Sequence, residues 1–294
     1  MFVRAFLFII LCGASLSCAA LPYLLPAEDS RVIGQDLTYR VKQGDYFQAI
    51  AEKFNVGMLA LIEANPEQDP FLPKVGSELI IPHQMILPFG KREGVVINLP
   101  ELRLYYFSPS SPIVHVFPVG IGKQGLTTPK VKSYIGEKRK DPIWRPTAEM
   151  RERYLAEHGK PLAKEVMPGP NNPFGKYALR IGTSEYLLHG SNQRLGIGMR
   201  SSSGCIRLYD DDIEWLFTHV PSGTPISIVE QPIKMSYELT GKVIEVHQPL
   251  SDSEPLTGER YKALLERFAH SESEQQLVQA LVKKPSGLVK QLKK

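Results

Sequence analysis

The sequence predicts an α+β multidomain chain: a small βααβ module, a mainly β domain of sandwich- or barrel-like build, and a helical C-terminal extension. Three observations carry this. Between Thr38 and Pro82, two alternating stretches flank two short helical patterns. From Gly94 to Val229, short β-rich runs are punctuated by glycine and proline at close intervals. After Leu250 the apolar spacing turns helical. The chain has 294 residues, 43% of them apolar, enough for one large or two modest globular domains.

At the N-terminus, Arg4 precedes the apolar run Ala5 to Cys12, and small residues follow through Ser17-Cys18-Ala19-Ala20. That is the pattern of a secretory signal over residues 1–20, too short to span a bilayer, with cleavage after Ala19 or Ala20. Lipidation at Cys18 is the alternative, although Ser15 stands three residues before it, where an aliphatic residue is usual. No later segment reaches the ~18 apolar residues of a spanning helix. The mature chain is therefore expected to be exported to the periplasm or cell envelope, with no transmembrane segment. Residues 21–37 read as a leader or linker. The net charge of +4 is spread along the chain and forms no nucleic-acid patch. Only Lys283 to Lys294, with five lysines and no acid, departs from that, and such runs are mostly solvated ends.

Residues 38–83 form the first module. Thr38-Tyr39-Arg40-Val41 alternates like a strand, and Gln43-Gly44-Asp45 is a turn. Phe47, Ile50, Ala51 and Phe54 recur at helical spacing, and Asn55-Val56-Gly57 breaks that helix. A second helix carries Leu59, Leu61 and Ile62 and ends near Asn65-Pro66; a last strand runs from Glu78 to Pro82. The residues Tyr39-x-Val41, Gly44-Asp45, Ile50-Ala51, Phe54, Val56, Leu61, Asn65, Gly76 and Leu79-x-Ile81-Pro82 resemble the LysM module, a carbohydrate-binding unit of cell-wall proteins. The resemblance implies binding of N-acetylglucosamine-containing glycan along a groove at the first turn and last loop, with Gly44, Asp45 and Asn65 as candidate contacts. Tyr46 stands where that turn usually has threonine.

In the segment 94–232, strands are expected at Val95 to Leu99, Arg103 to Phe107, Val114 to Val119, Tyr177 to Ile181, Tyr186 to His189 and Pro225 to Val229. Asp141 to Pro170 is proline-rich with a helical piece near Ala148 to Glu157, an insertion of the size that forms a lid. Asp210-Asp211-Asp212 opens a helical pattern (Ile213, Leu216, Phe217, Val220), where acids offset the helix dipole better than they suggest a cation site. Residues 233–294 make a C-terminal strand segment and helical extension. Tyr261, Leu264, Leu265 and Phe268 share one helix face, and Ser271-x-x-Glu274 is a capping box before Leu277, Val278, Leu281 and Val282. These helices are expected to dock on the β domain or on each other.

Export gives the cysteines meaning. Cys12 and Cys18 belong to the signal region, so Cys205 is left without an intramolecular partner. An unpaired cysteine in an exported chain is an intermolecular link or a reactive thiol. Cys205 lies among Ser202, Ser203, Gly204 and Arg207, not in an apolar run. His189 ends a predicted strand sixteen positions earlier, and the glycine-rich span Gly190 to Gly204 can bring the thiol back beside it. A thiol titrates near ~8.5, so a neighbouring imidazole that takes its proton raises the reactive fraction. Gly204 leaves room for a substrate carbonyl, and backbone N–H groups after Cys205 could receive an oxyanion. With no carboxylate nearby in sequence, a backbone carbonyl of Gly190-Ser191 is the expected orienter of the imidazole. The other six histidines read as packed or surface residues, and His189 with Cys205 lacks the further ligands of a zinc site.

The pattern His189-Gly190, then Ser202-Ser203-Gly204-Cys205-Ile206-Arg207, resembles the L,D-transpeptidases of the bacterial cell wall. The likeness extends from about Gly94 to Pro249 and includes Val96-Ile97-Asn98-Leu99-Pro100-Glu101, Pro118-Val119-Gly120-Ile121-Gly122 and Asn172-Pro173-Phe174-Gly175. It implies Cys205 as nucleophile and His189 as general base, then acid. Gly204, Gly190 and Ser191 fall at oxyanion or orienting positions, and Arg207, Ser203, Ser202 and Tyr186 at the substrate. The implied partner is peptidoglycan, its glycan strands and stem peptides, with an envelope protein as a possible acyl acceptor and no metal or organic cofactor. Ser203 replaces the family's second histidine, and Thr128-Pro129-Lys130-Val131 lacks the glycine usual in that step.

Overall fold

The structure, a computed structural model, describes residues 21–292, so the signal segment 1–20 lies outside the described residues. The chain begins with β1 (Leu21–Leu24), β2 (Val32–Ile33), β3 (Leu37–Arg40), α1 (Phe47–Lys53), α2 (Met58–Ala64), β4 (Glu78–Ile81) and β5 (Met85–Ile86). The β domain follows with β6 (Gly94–Asn98), β7 (Arg103–Phe107), β8 (Ile113–Pro118), β9 (Ile121–Gly122), β10 (Val131–Lys140), α3 (Ala148–His158), β11 (Tyr177–Ile181) and β12 (Leu187–His189). It continues through β13 (Arg200–Ser202), β14 (Ile206–Arg207), α4 (Asp210–His219) and β15 (Pro225–Val229). The C-terminal unit holds β16 (Ile233–Glu238), β17 (Gly241–Val246), α5 (Glu259–Glu266), α6 (Glu272–Lys283) and β18 (Lys290–Gln291).

The mainly β domain is built on a nine-stranded sheet in the order β1-β8-β7-β6-β15-β10-β11-β12-β14. Neighbours are antiparallel except β6 with β15 and β12 with β14. Alternation sorts β6 and β7 onto two faces, as the period of two requires. Val95, Ile97, Leu104 and Tyr106 join the main core beneath Ile213 and Leu216 of α4. Val96, Tyr105 and Phe107 face a second core with Ile33, Met85 and Leu87.

That second core corrects the reading of residues 21–37 as a linker. Leu21–Leu24 is an edge strand paired with β8, and Val32–Ile33 pairs with β5. Pro22 is tolerated because an edge strand needs hydrogen bonds on one side only. Covering the second face removes both β6 and β7 from water along their whole lengths.

Residues 39–81 form the βααβ module: β3 pairs with β4, and Phe47, Ile50, Leu61, Leu79 and Ile81 fill its core. Asn65 clamps the module, since its amide donates to Leu61 O (2.9 Å) and Ile80 O (2.8 Å) and accepts from Ile80 N (2.7 Å). Asp45 closes the turn by accepting from Lys42 N (2.7 Å) and Tyr39 OH (2.8 Å). Gly44 supplies the positive φ of 86° that this turn needs. Of the residues expected at glycan, Asn65 thus has its amide engaged in holding the module, and Asp45 has one carboxylate oxygen so engaged. Exposed apolar side chains beside that turn and in the following loop include Tyr46, Phe71 and Leu72.

In the C-terminal unit, α5 and α6 do not lie on the nine-stranded sheet. They pack with β16 and β17 around Ile244, Val246, Tyr261, Phe268 and Val278, a core of their own. The capping box forms as expected, with Ser271 Oγ accepting from Glu274 N at 3.2 Å.

A buried ion cluster ties the three units. Lys234 Nζ lies 2.6 Å from Glu101 Oε2 and 3.0 Å from Glu245 Oε2. Arg103 Nη1 contacts the same two carboxylates at 3.2 and 3.0 Å. His247 Nε2 reaches Glu245 Oε1 at 2.7 Å, and its Nδ1 lies 3.5 Å from Glu63 on α2 of the module. Burial alone would lower the His247 pKa, but hydrogen bonds and charge from Glu245 and Glu63 outweigh it and hold the pKa raised. Burial would raise the Glu245 pKa, and Lys234, His247 and Arg103 instead push it below the usual carboxylate range. Removing one cation leaves a buried carboxylate uncompensated, at a cost of roughly 3–5 kcal/mol. Lys234→Met should therefore lose about that much stability in urea unfolding at pH 7. A loss below about 1 kcal/mol would show that the cluster relaxes without its lysine.

Candidate active site

β12 and β14 lie side by side and parallel, with Leu188 opposite Ile206 and His189 opposite Arg207. Side chains alternate along a strand, so Leu187 and His189 share one face of β12. Cys205, just ahead of β14, falls on the same face as Arg207. His189 and Cys205 accordingly line one cavity of about 470 Å³, together with Arg207, Trp144, Phe174 and Arg153. A second cavity of about 370 Å³ also reaches Cys205, lined in addition by Tyr186, Leu126 and Thr127.

His189 is 3% exposed. Its Nδ1 donates to Gly190 O at 2.6 Å, which leaves Nε2 as the acceptor nitrogen of the neutral ring. The Phe174 ring lies 4.7 Å away, centroid to centroid. Burial lowers the His189 pKa to about 4, with Arg207 adding to the effect against the Gly190 and Pro173 carbonyls. Burial likewise pushes the Cys205 thiol up, opposed by the Leu187 backbone and the Arg207 charge. Desolvation disfavours the charged form of each group. The pair therefore rests as neutral thiol and neutral imidazole.

The turn that carries Cys205 is fixed from both sides. Ser202 Oγ accepts from Gly204 N (3.1 Å) and donates to Cys205 O (2.5 Å). Thr128 Oγ1 donates to Gly204 O (2.8 Å) and accepts from Gly122 N (3.0 Å). Gly204 has φ of 107°, and a Cβ there would stand 2.9 Å from the Tyr186 ring. The turn therefore needs glycine.

The structure gathers His189, Cys205, Arg207, Ser203 and Tyr186 around the two cavities. Other expected residues have polar groups bonded within the fold. Ser202, expected at substrate, lines the first cavity but is 2% exposed and bonds its hydroxyl to its own turn. The Gly190 and Gly204 N–H groups, expected at an oxyanion, are bonded to Tyr177 O (3.2 Å) and Ser202 Oγ. Ser191 N donates to Asp210 Oδ1 (3.4 Å), and its hydroxyl accepts from Gln193 N (3.0 Å). Arg207 Nη1 donates to Gln193 Oε1 (3.1 Å), so its guanidinium holds the loop between His189 and Cys205. Sequence reasoning missed Thr128 and Arg153, whose partners lie 76 and 50 positions away.

The loop is also held by the βααβ module. Leu59 N donates to Gly198 O (3.1 Å), and Gln48 Nε2 donates to Arg194 O (3.3 Å). Arg194 is ion-paired with Glu52, and Met199 packs against the module's core. Asn55 Nδ2 donates to Asp212 Oδ1 (3.5 Å) in the first turn of α4, where the acidic triplet follows the N-cap Tyr209.

The chain belongs to the L,D-transpeptidase family of enzymes and carries a LysM domain ahead of its catalytic domain. The family's YkuD-type catalytic domain matches residues 92–228 and the LysM domain residues 39–82. The chain is 49% identical over 234 residues to "Probable L,D-transpeptidase YcfS" of Escherichia coli K12, covering 78% of this chain and 73% of that one. It is 46% identical over 236 residues to "Probable L,D-transpeptidase ErfK/SrfK" of Salmonella typhimurium, covering 79% and 76%. To "Probable L,D-transpeptidase YbiS" of E. coli K12 it is 42% identical over 258 residues, covering 86% and 83%. Among the described residues, no helix is long and apolar enough to cross a membrane.

A raised thiol beside a lowered histidine should react slowly with iodoacetamide at pH 7. The alkylation rate is expected to climb with pH through and beyond the ordinary thiol range near ~8.5. A rate already at its plateau below pH 7 would mean a preformed thiolate–imidazolium pair and refute the neutral resting state.

Proposed function

We propose that the chain acts on peptidoglycan as a cysteine L,D-transpeptidase outside the cytoplasm. The observation that carries this reading is the placement of His189 on β12 and of Cys205 just ahead of the adjacent parallel β14, both lining one cavity, with the imidazole tautomer set by Gly190 O. His189 Nε2 takes the thiol proton as Sγ attacks the carbonyl of the third residue of a tetrapeptide stem. The C–N bond breaks, the imidazolium returns its proton to the departing D-alanine amine, and a thioester remains. An acceptor amine then attacks the thioester carbonyl. The C–S bond breaks, the amine proton passes through His189 to sulfur, and a new amide leaves with the thiol restored. Both half-reactions need a proton carrier neutral at rest, which the depressed His189 pKa supports. The Cys205 N–H, next to the committed Gly204 N–H, is the donor assigned to the oxyanion.

The acceptor is a second stem, giving a 3→3 crosslink, or a lysine of an envelope protein. A second cavity of about 370 Å³ that also reaches Cys205 favours an amine acceptor over water. Glycan is held at the LysM domain by Tyr46, Phe71 and Leu72, whose exposed apolar faces suit sugar rings. Incubation with tetrapeptide-bearing muropeptides, followed by mass spectrometry, should reveal a thioester adduct and released D-alanine in wild type and neither in Cys205→Ala. Wild type giving neither adduct nor release would sink the reading. Hydrolysed tripeptide without dimers would reassign the acceptor as water.

A further inference from the structure

Helix α3 lies over Cys205, yet none of its residues is buried. It is well closed locally, with Thr147 Oγ1 accepting from Met150 N (3.2 Å) and Gly159 ending it at φ of 67°. A helix draws most of its stability from an apolar face packed on a core, and α3 has none. What ties it to the nucleophile's turn is polar. Arg153 Nη2 donates to Ser203 Oγ at 3.2 Å, two residues before Cys205. On the solvent side, Arg153 Nη1 lies 3.6 Å from Glu149, whose side chain is 79% exposed. Arg153 also lines both cavities that meet at Cys205.

A guanidinium has five N–H donors in a planar fork that suits a carboxylate bidentately. Here its partner beside the nucleophile is a neutral hydroxyl, which takes one donor and none of the charge. Exposed Glu149 balances that charge only weakly, because water screens the pair. A carboxylate arriving beside Cys205 is thus a better partner for Arg153 than the one it has.

The acyl-transfer reading places such a carboxylate. The residue expelled from the donor is the last of its stem, so its free carboxylate lies one residue beyond the attacked carbonyl. One residue of extended chain spans about 3.5 Å. We propose that Arg153 is a specificity-determining residue that reads the terminal carboxylate of the donor stem, exchanging Ser203 Oγ for it. The inference rests on the acyl-transfer reading and deepens it. Arg153 sets which bond is cut, because only a stem ending one residue after the attacked carbonyl brings its carboxylate to the guanidinium.

The test uses the full chain and two donors, a stem tetrapeptide with a free terminal carboxylate and the same peptide as its terminal amide. A charge-assisted pair is worth roughly 10- to 100-fold in kcat/KM. Wild type should prefer the acid by about that factor, mainly through KM. Arg153→Ala should collapse the acid-to-amide ratio to within about threefold, and Arg153→Lys should restore part of it, since lysine keeps the charge but not the fork. An undiminished ratio in Arg153→Ala, or equal losses on both donors, would overturn the proposal. Binding is measured separately by calorimetry on Cys205→Ala, with and without Arg153→Ala. Tetrapeptide acid should bind the single variant about 10- to 100-fold more tightly than the double variant. Wild type that releases neither D-alanine from the acid nor D-alaninamide from the amide defeats the acyl-transfer reading, whereas equal affinities of the single and double variants defeat the role of Arg153.

Discussion

The parallel pairing of β12 with β14 is the constraint on which the site depends. Antiparallel neighbours can be joined by a two-residue turn, but parallel neighbours need a crossover of a dozen or more residues. The fifteen residues between His189 and Cys205 are that crossover, with the imidazole and the thiol at its ends. A loop of this length has backbone groups to satisfy and little apolar weight of its own. Gly198 N donates to Val119 O (3.2 Å), Gly120 N to Arg207 O (2.8 Å), and Gly198 O accepts from Leu59 N of the LysM domain. At Gly198, with φ of 68°, a Cβ would stand 2.3 Å from Gly57 Cα. Two glycines facing each other let the LysM domain close directly against the loop that leads to Cys205.

Burial then sets the chemistry of the pair. The same desolvation that lowers His189 raises Cys205, so each group moves away from its charged form. An ion pair would need strong compensation at so dry a site. Arg207 favours the thiolate and disfavours the imidazolium. In the proposed mechanism that charge favours the attacking thiolate, opposes the imidazolium formed with it, and so eases the later return of the proton from His189.

Much of this was legible along the chain. The helix and strand limits of the LysM domain, β7, β11 and β15, and the capping box of α6 follow local periodicity, and the structure has them within a residue or two. The expectation that a Gly190-Ser191 carbonyl faces the imidazole followed from the lack of a nearby carboxylate, and His189 Nδ1 does donate to Gly190 O. What escaped was set by distant partners. β10 escaped because the run from Val131 to Lys140 is charged and reads as surface, although β15 and β11 flank it. β1 was masked by Pro22. Asp45 and Asn65 are polar residues at a turn and a helix end, as expected of a binding groove. Each nonetheless bonds within the module, Asn65 to backbone groups and Asp45 to Lys42 N and the Tyr39 hydroxyl, and only three-dimensional pairing reveals it.

The ion cluster and the Gly57–Gly198 contact also change how the LysM domain relates to the nucleophile. A domain on a flexible tether acts through effective concentration, set by linker length. Here the segment that leaves the module pairs β5 with β2 and sends Ile86 N to Glu245 Oε2 at 2.6 Å. Pro82 O accepts from Arg103 Nη2 at 3.1 Å, and His247 reaches back to Glu63. These bonds leave no free linker between Ile81 and Gly94. The position of the exposed Tyr46, Phe71 and Leu72 relative to Cys205 is therefore set by packing. The exposed apolar surface of the LysM domain and the thiol are thus set in one geometry, and the C-terminal unit supplies Lys234 and His247 to the cluster that holds it.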